Sequence, residues 1–229
     1  SVSLRDALAT LTDGGIITFE TGLTGTIVLD PNLGELVINK SLTINANTDG
    51  DNNTRDITID AQGNSRVLTV DNDNSALADV TIDGLVITGG SAIGGEDDTG
   101  GGIFSAENLT ITNSDISNNI AASGGGIAIG GRGESTPSLV LTNVTVSGNS
   151  ASTNGGENDG NGGGIYASSF SGTNLTLTNV TISGNSADAS GGGIATDDYF
   201  GSTVTLNNVT ISGNSAAEQG GGLYHQSIS

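Results

Sequence analysis

Twenty-five acidic and five basic side chains set the chemistry open to this chain of 229 residues. Asp60, Asp71 and Asp83, with Asp73 between them, fall in neighbouring short segments of the first half. Carboxylates that converge in a groove are what glycoside hydrolysis requires, one acting as acid and the other as base or nucleophile. A polysaccharide lyase instead needs a strong base beside calcium-binding acids, and Lys40, Arg55 and Arg66 are the nearby candidates. If the chain is an enzyme, Asp60, Asp71 and Asp83 are its catalytic set. The competing reading puts these aspartates in turns, where a short carboxylate accepts local backbone N–H groups. His225, the single histidine, has no nucleophile partner in the pattern around it and reads as a surface residue.

Cation binding is the second chemistry. Asp49, Asp51 and Asn53 alternate as the first ligands of an Asp-rich calcium loop do. Thr54 stands where a glycine would follow and no glutamate closes the loop. An EF-hand is therefore excluded, and a looser oxygen site for Ca2+ is the remaining expectation. Glu96, Asp97 and Asp98 precede one glycine cluster, and Glu157 and Asp159 lie in an enlarged loop before another. Asp188 and Glu218 hold similar places later. If the loops stack, these residues form an acidic edge that either binds divalent cations or solvates the surface.

Two further surfaces are legible. Thr81, Thr110, Thr176 and Thr205, interrupted by Val140, share one repeat position, and Thr112, Thr142 and Thr178, ending at Asn207, share another. Flat threonine arrays order water, so an ice-binding solenoid is one reading. Outward threonine is also ordinary strand composition. Phe104, Tyr166 and Tyr224, with Ala128 and Ala195 between, form either an exposed strip for sugar stacking or a shield over a corner.

These residues are placed by a repeat of about thirty residues. Segments beginning at Leu139, Leu175 and Val204 share the spelling L-[TN]-N-V-T-[IV]-S-G-N-S-A, and degenerate copies begin at Leu109 and Val80. Within the clearest copy, Leu175, Leu177, Val180 and Ile182 are apolar and alternate with Thr176, Thr178, Thr181 and Ser183. Alternation predicts a strand with one buried face. The step from Leu177 to Val180 breaks the period of two, which predicts a bend at Asn179. A second bend falls at Gly184–Asn185, and a glycine triplet before Ile194 makes the third corner, so a triangular coil is expected. Asn113, Asn143, Asn179 and Asn208 then form one column, and Asn119, Asn149, Asn185 and Asn214 another. Coils stack about 4.8 Å apart, so each amide is expected to bond the next and to satisfy corner backbone groups.

The expected fold is all-β, a single-stranded right-handed parallel β-helix. Residues 1–15 form an N-terminal cap and residues 16–229 about eight coils. Ser3 and Asp6 suit a helix start, and Leu4, Ala7, Leu8 and Leu11 share one helical face. The end near Ser229 lies within a coil and carries no cap, so continuation of the chain or end-to-end self-association is expected there. The composition agrees: 38 glycines, two prolines, no Trp, Met or Cys, and a net charge of −20. A thin solenoid core needs only Val, Ile and Leu from each coil. Such acidity repels phosphate backbones and anionic lipids, so no nucleic-acid partner is expected. No apolar run approaches the length of a membrane-spanning helix, so insertion by this segment is not expected.

The opening residues 2–19, VSLRDALATLTDGGIITF, resemble the CSLREA-type opening of bacterial secreted and surface β-helix proteins. Ser3, Leu4 and Arg5 match it, Asp6 replaces Glu, and Val2 stands where Cys is usual. The repeats, such as Ile182-SGN followed by Gly191-GGI, resemble those of polymorphic outer-membrane proteins. Here Ile or Val replaces the Phe favoured before the asparagine, and a third Gly replaces Ala. The resemblance implies export, surface display and often adhesion, with glycans or other surface proteins as partners. The chain thus reads as a non-catalytic extracellular or cell-surface module for adhesion, surface structure or glycan or cation binding. A polysaccharide lyase or glycoside hydrolase of the β-helix type is the alternative, and an ice-binding solenoid a second one.

Overall fold

Each turn of the chain lays down one strand on each of three walls before climbing to the next turn. A computed structural model describes residues 2–50, 54–74, 76–94, 98–131, 135–153, 160–169, 172–198 and 201–227. Three parallel sheets carry seven strands each, and a fourth, five-stranded strip begins at the third turn. In the sixth turn the walls are formed by Asn174–Thr178 (wall A), Thr181–Ser183 (wall B) and Ile194–Asp198 (wall C). The strip between walls B and C is the two-residue strand Ser186–Ala187. The fold is a parallel β-helix with one short helix at its start. Seven turns are described, against about eight counted from the repeat.

Register follows the alternation. Leu175 pairs with Leu139 and Val204, and Leu177 with Leu141 and Leu206, so aliphatic side chains stack on aliphatic ones through the wall. Leu175, Leu177, Val180, Ile182 and Ile194 are fully or almost fully buried, whereas Thr176 and Thr181 face outward. Leu206 points inward yet is 40% exposed, because no further described coil lies over it. Burying each such aliphatic side chain contributes about 1.5–3 kcal/mol.

The corners differ from a simple triangle. The extra strip places a fourth bend between Ala187 and the glycine triplet. Only the first glycine of the triplet requires a left-handed backbone: Gly191 has φ +68°. Gly192 is needed for space, since a Cβ there would lie 2.2 Å from the Ser215 carbonyl oxygen of the next turn.

The cap helix α1 (Leu4–Thr10) closes the first turn and buries Leu4 and Leu8. The Ser3 hydroxyl accepts the Asp6 N–H at 3.1 Å and donates to the Asp6 carboxylate at 2.8 Å. The helix ends at Thr10, and the N–H of its C-cap Leu11 bonds the Ala7 carbonyl.

Candidate functional site

The three carboxylates proposed for catalysis occupy three different walls. Asp60 ends the wall B strand Ile57–Asp60, Asp83 ends the wall A strand Asp79–Asp83, and Asp71 follows the wall C strand Leu68–Val70. Each accepts hydrogen bonds, two of them from their own loops and Asp83 from the next turn. Asp60 accepts the Gln62 N–H at 2.8 Å, and Asp71, which is buried, accepts the Asp73 N–H at 2.9 Å. Asp83 accepts the Thr112 hydroxyl at 2.6 Å and the Asn113 amide at 2.7 Å. The acidic cluster expected of them does not assemble, because period-two strands on separate sheets send their ends to separate corners.

The described bases are committed too. Arg5 donates to the Gly34 and Glu35 carbonyls at 2.5 and 2.7 Å, and Lys40 to the Leu8 and Leu11 carbonyls at 3.3 and 3.0 Å. These bonds fasten the cap helix to the first turn. Arg55 reaches Asp115 at 3.6 Å and the Asn143 carbonyl at 3.4 Å, two and three turns further on. Arg66 is buried, with its guanidinium 3.0 Å from the Glu35 carboxylate, bonded to Thr69 and the Thr99 and Gly100 carbonyls, and 5.4 Å from the Phe104 ring centroid. Arg132 lies outside the described residues.

Of the calcium candidates, Asp51, Asn53, Glu96, Asp97, Glu157 and Asp159 lie outside the described residues. Asp49 is exposed on its loop. That loop is anchored by Asp56, whose carboxylate accepts the Thr48 hydroxyl at 2.8 Å and the Thr48 N–H at 3.1 Å. These bonds, the hydroxyl first, hold the Asp56 carboxyl below its ordinary 3.8. Asp98, Asp188 and Glu218 sit ahead of the glycine corners of their turns. Asp188 accepts the Ser152 hydroxyl and the Thr153 N–H at 2.9 and 3.1 Å. Among the described residues no three His, Cys, Asp or Glu side chains are arranged to hold a metal ion.

The two asparagine columns behave differently. Asn119, Asn149 and Asn185 are 1% exposed. The Asn149 side-chain oxygen accepts both the backbone and side-chain N–H of Asn119 at 3.0 Å, and its amide donates to the Ile116 carbonyl at 3.0 Å and to Asn185 at 3.0 Å. This column therefore holds backbone groups inside a corner. In the outer column the amides of Asn143, Asn179 and Asn208 each donate to the preceding asparagine, at 3.1, 3.2 and 2.8 Å. The backbone N–H groups there bond carbonyls of the next turn, as Asn143 does with Thr178 at 3.1 Å. What asparagine supplies at this corner is a left-handed backbone: φ is +46° to +56° at Asn113, Asn143, Asn179 and Asn208. Asparagine tolerates that region better than other residues with a side chain.

The remaining surfaces are also placed. The threonine column of wall A starts at Ile16 and runs through Thr43, Thr81 and Thr110 to Val140, Thr176 and Thr205, and its neighbour starts at Thr18 and passes through Asn45 and Asp83 before Thr112. The aromatic column is no exposed strip: Tyr166 is 8% exposed, Ala128 3% and Ala195 0%. Phe104 and Tyr224 are partly buried, and Ala128 and Ala195 alternate with the three rings along wall C. His225 falls in an inward column, its Nδ1 2.5 Å from the Thr196 hydroxyl, and is exposed at the last described turn. Sequence reasoning missed Glu107, which is 1% exposed and whose carboxylate accepts the Asn72 and Ala78 N–H groups at 3.0 and 2.5 Å. No periodic signal marks it, since it ties down one irregular loop.

Residues 179–197 and 208–226 match the model of the Chlamydia polymorphic membrane protein repeat. These two units of the chain are thus similar to that repeat, and they stack on one another in the β-helix. Each matched unit starts at an outer-column asparagine, Asn179 or Asn208, and runs through the inner-column asparagine and the glycine triplet onto wall C. What the repeat specifies is thus a set of corners. The repeat is one of outer-membrane or surface proteins. No curated protein and no solved structure shows a comparable likeness to the chain.

Proposed function

We propose that this chain is a non-catalytic extracellular or cell-surface module, a rigid β-helix that presents its walls and loops to glycans or to other surface proteins. The observation that carries the reading is the dispersal of Asp60, Asp71 and Asp83 to three walls, each accepting hydrogen bonds from its own loop or from the next turn. Hydrolysis needs two carboxylates across one bond, and these three, sent to three corners, do not form such a pair. The described bases fasten the cap, the walls and a loop. Polymorphic-membrane-protein repeats support display at an outer surface, and a net charge of −20 suits a soluble, self-repelling exposed rod. Calcium at Asp49 and the acidic corners belongs to the same reading as a loop-ordering ion.

The test is retention. The purified chain is passed over immobilised acidic and neutral polysaccharides, with and without millimolar calcium. Retarded elution from at least one polymer is expected, with the polymer recovered unaltered. Elution in the void from every polymer would remove glycans from the proposal and leave surface proteins as the partner class.

A further inference from the structure

The cap helix and the first wall C strand, Leu36–Ile38, enclose a concavity of about 330 Å3 lined by Arg5, Leu8, Ala9, Val37, Asn39 and Lys40. Two of the chain's five basic residues meet there. Among the described residues, the close charge pairs are Arg55 with Asp115 and Arg66 with Glu35, while Arg5 and Lys40 bond neutral backbone carbonyls. The adjacent carboxylates are turned to other work: Asp6 takes the Ser3 hydroxyl, and Glu35 takes Arg66 and the Thr69 hydroxyl. Asp30 feels Arg5, but the Asn32 N–H and amide dominate its lowered pKa. In a strongly acidic molecule this is a concave site whose two cations are hydrogen-bonded to backbone carbonyls and, among the described residues, form no close charge pair.

The geometry points to a binding site for a carboxylate-bearing saccharide unit, such as a uronic acid residue. A guanidinium has five N–H donors and an ammonium three, and the bonds above use two of each. The remainder match a carboxylate, for which arginine's planar fork is well shaped. Leu8, Ala9 and the half-exposed Val37 offer an apolar wall to the C–H face of a pyranose, and the Asn39 amide donors and acceptors for its hydroxyls. The volume lies at the small end of the range that ligand pockets occupy. This inference rests on the glycan-binding reading and names the sugar chemistry of one site within it.

The experiment titrates the full chain at low salt with galacturonate, galactose and acetate by calorimetry and by NMR shifts of the Leu36–Lys40 amides. Arg5 and Lys40 hold the cap, so the informative variant is Val37→Glu, at a position that is 50% exposed and faces outward. Galacturonate is expected to bind and to shift those amides, with galactose inert and acetate weaker. Val37→Glu is expected to keep the melting temperature and to weaken galacturonate binding about tenfold or more, since it sets a like charge against the ligand. Galacturonate binding no better than galactose, acetate binding as tightly as galacturonate, or an unchanged affinity in a folded Val37→Glu would each overturn the proposal. Failure here with polymer retention preserved would refute this site alone, because retention reads the whole surface of the chain and the titration reads the Leu36–Lys40 amides.

Discussion

At the residue scale, one amino acid does two jobs. Asn149 satisfies the Asn119 N–H and the Ile116 carbonyl inside the molecule, so Asn149→Ala orphans buried backbone groups at about 1–3 kcal/mol each. Asn149→Gly should cost as much. Asn179 holds no backbone group and sits at φ +54°. Asn179→Gly should therefore cost under about 1 kcal/mol, glycine adopting that region freely, while Asn179→Ala adds about 1–2 kcal/mol of left-handed strain. Urea midpoints of the four variants check this; equal losses at Asn149→Gly and Asn179→Gly would refute the division of labour. Asp56 supplies a second residue-scale expectation. Its folded pKa is below the ordinary 3.8, so its contribution to the 48–56 loop is complete above that value and is lost as pH falls through the lower folded one. A carboxyl titration by NMR should place Asp56 below unstructured aspartate, with the Thr48 amide shifting alongside it. A midpoint at or above 3.8 would contradict the hydrogen bonding.

At the scale of elements, the glycine corner sets the distance between turns. Gly192→Ala drives a methyl group into the Ser215 and Gly221 carbonyls, at 2.2 and 2.5 Å, and backbone cannot retreat as a side chain would. A loss of about 2–4 kcal/mol is expected, at or above the usual range for overpacking. Gly184→Ala meets nothing within 4 Å and has only its φ of +64° to accommodate, at about 1 kcal/mol. Thermal melts of both variants decide it, and a loss at Gly192→Ala no larger than at Gly184→Ala would mean that empty space is not what this corner needs from Gly192. The strands were readable because Leu175, Leu177, Val180 and Ile182 spell out their buried face in period two. The corners were readable as positions but not as mechanisms. Nothing in Gly191–Gly193 tells a residue that needs positive φ from one that needs empty space. The Ser186–Ala187 strip is too short to show a period, so a three-sided coil was the natural reading. The anchoring roles of Arg5, Lys40, Arg66 and Glu107 depend on contacts some thirty residues away in the chain, which no local pattern encodes.

At the scale of the whole molecule, stacking decides what the chemistry can be. A β-helix brings together residues a full turn apart on one wall and separates residues that share a turn but differ in wall. Asp60, Asp71 and Asp83 look close in sequence and are sent apart by that rule, whereas the asparagine columns are far apart in sequence and are brought into contact. The same rule makes the walls long, regular and polar, which suits a presenting scaffold. The central claim is that this scaffold binds without transforming. Its most direct test incubates the purified chain with acidic and neutral polysaccharides in millimolar calcium and follows unsaturated products and reducing ends. The account predicts no turnover above the buffer blank, and no difference between the wild-type chain and Asp60→Asn, Asp71→Asn or Asp83→Asn. Robust cleavage of any polymer, abolished by one of those substitutions, would contradict it.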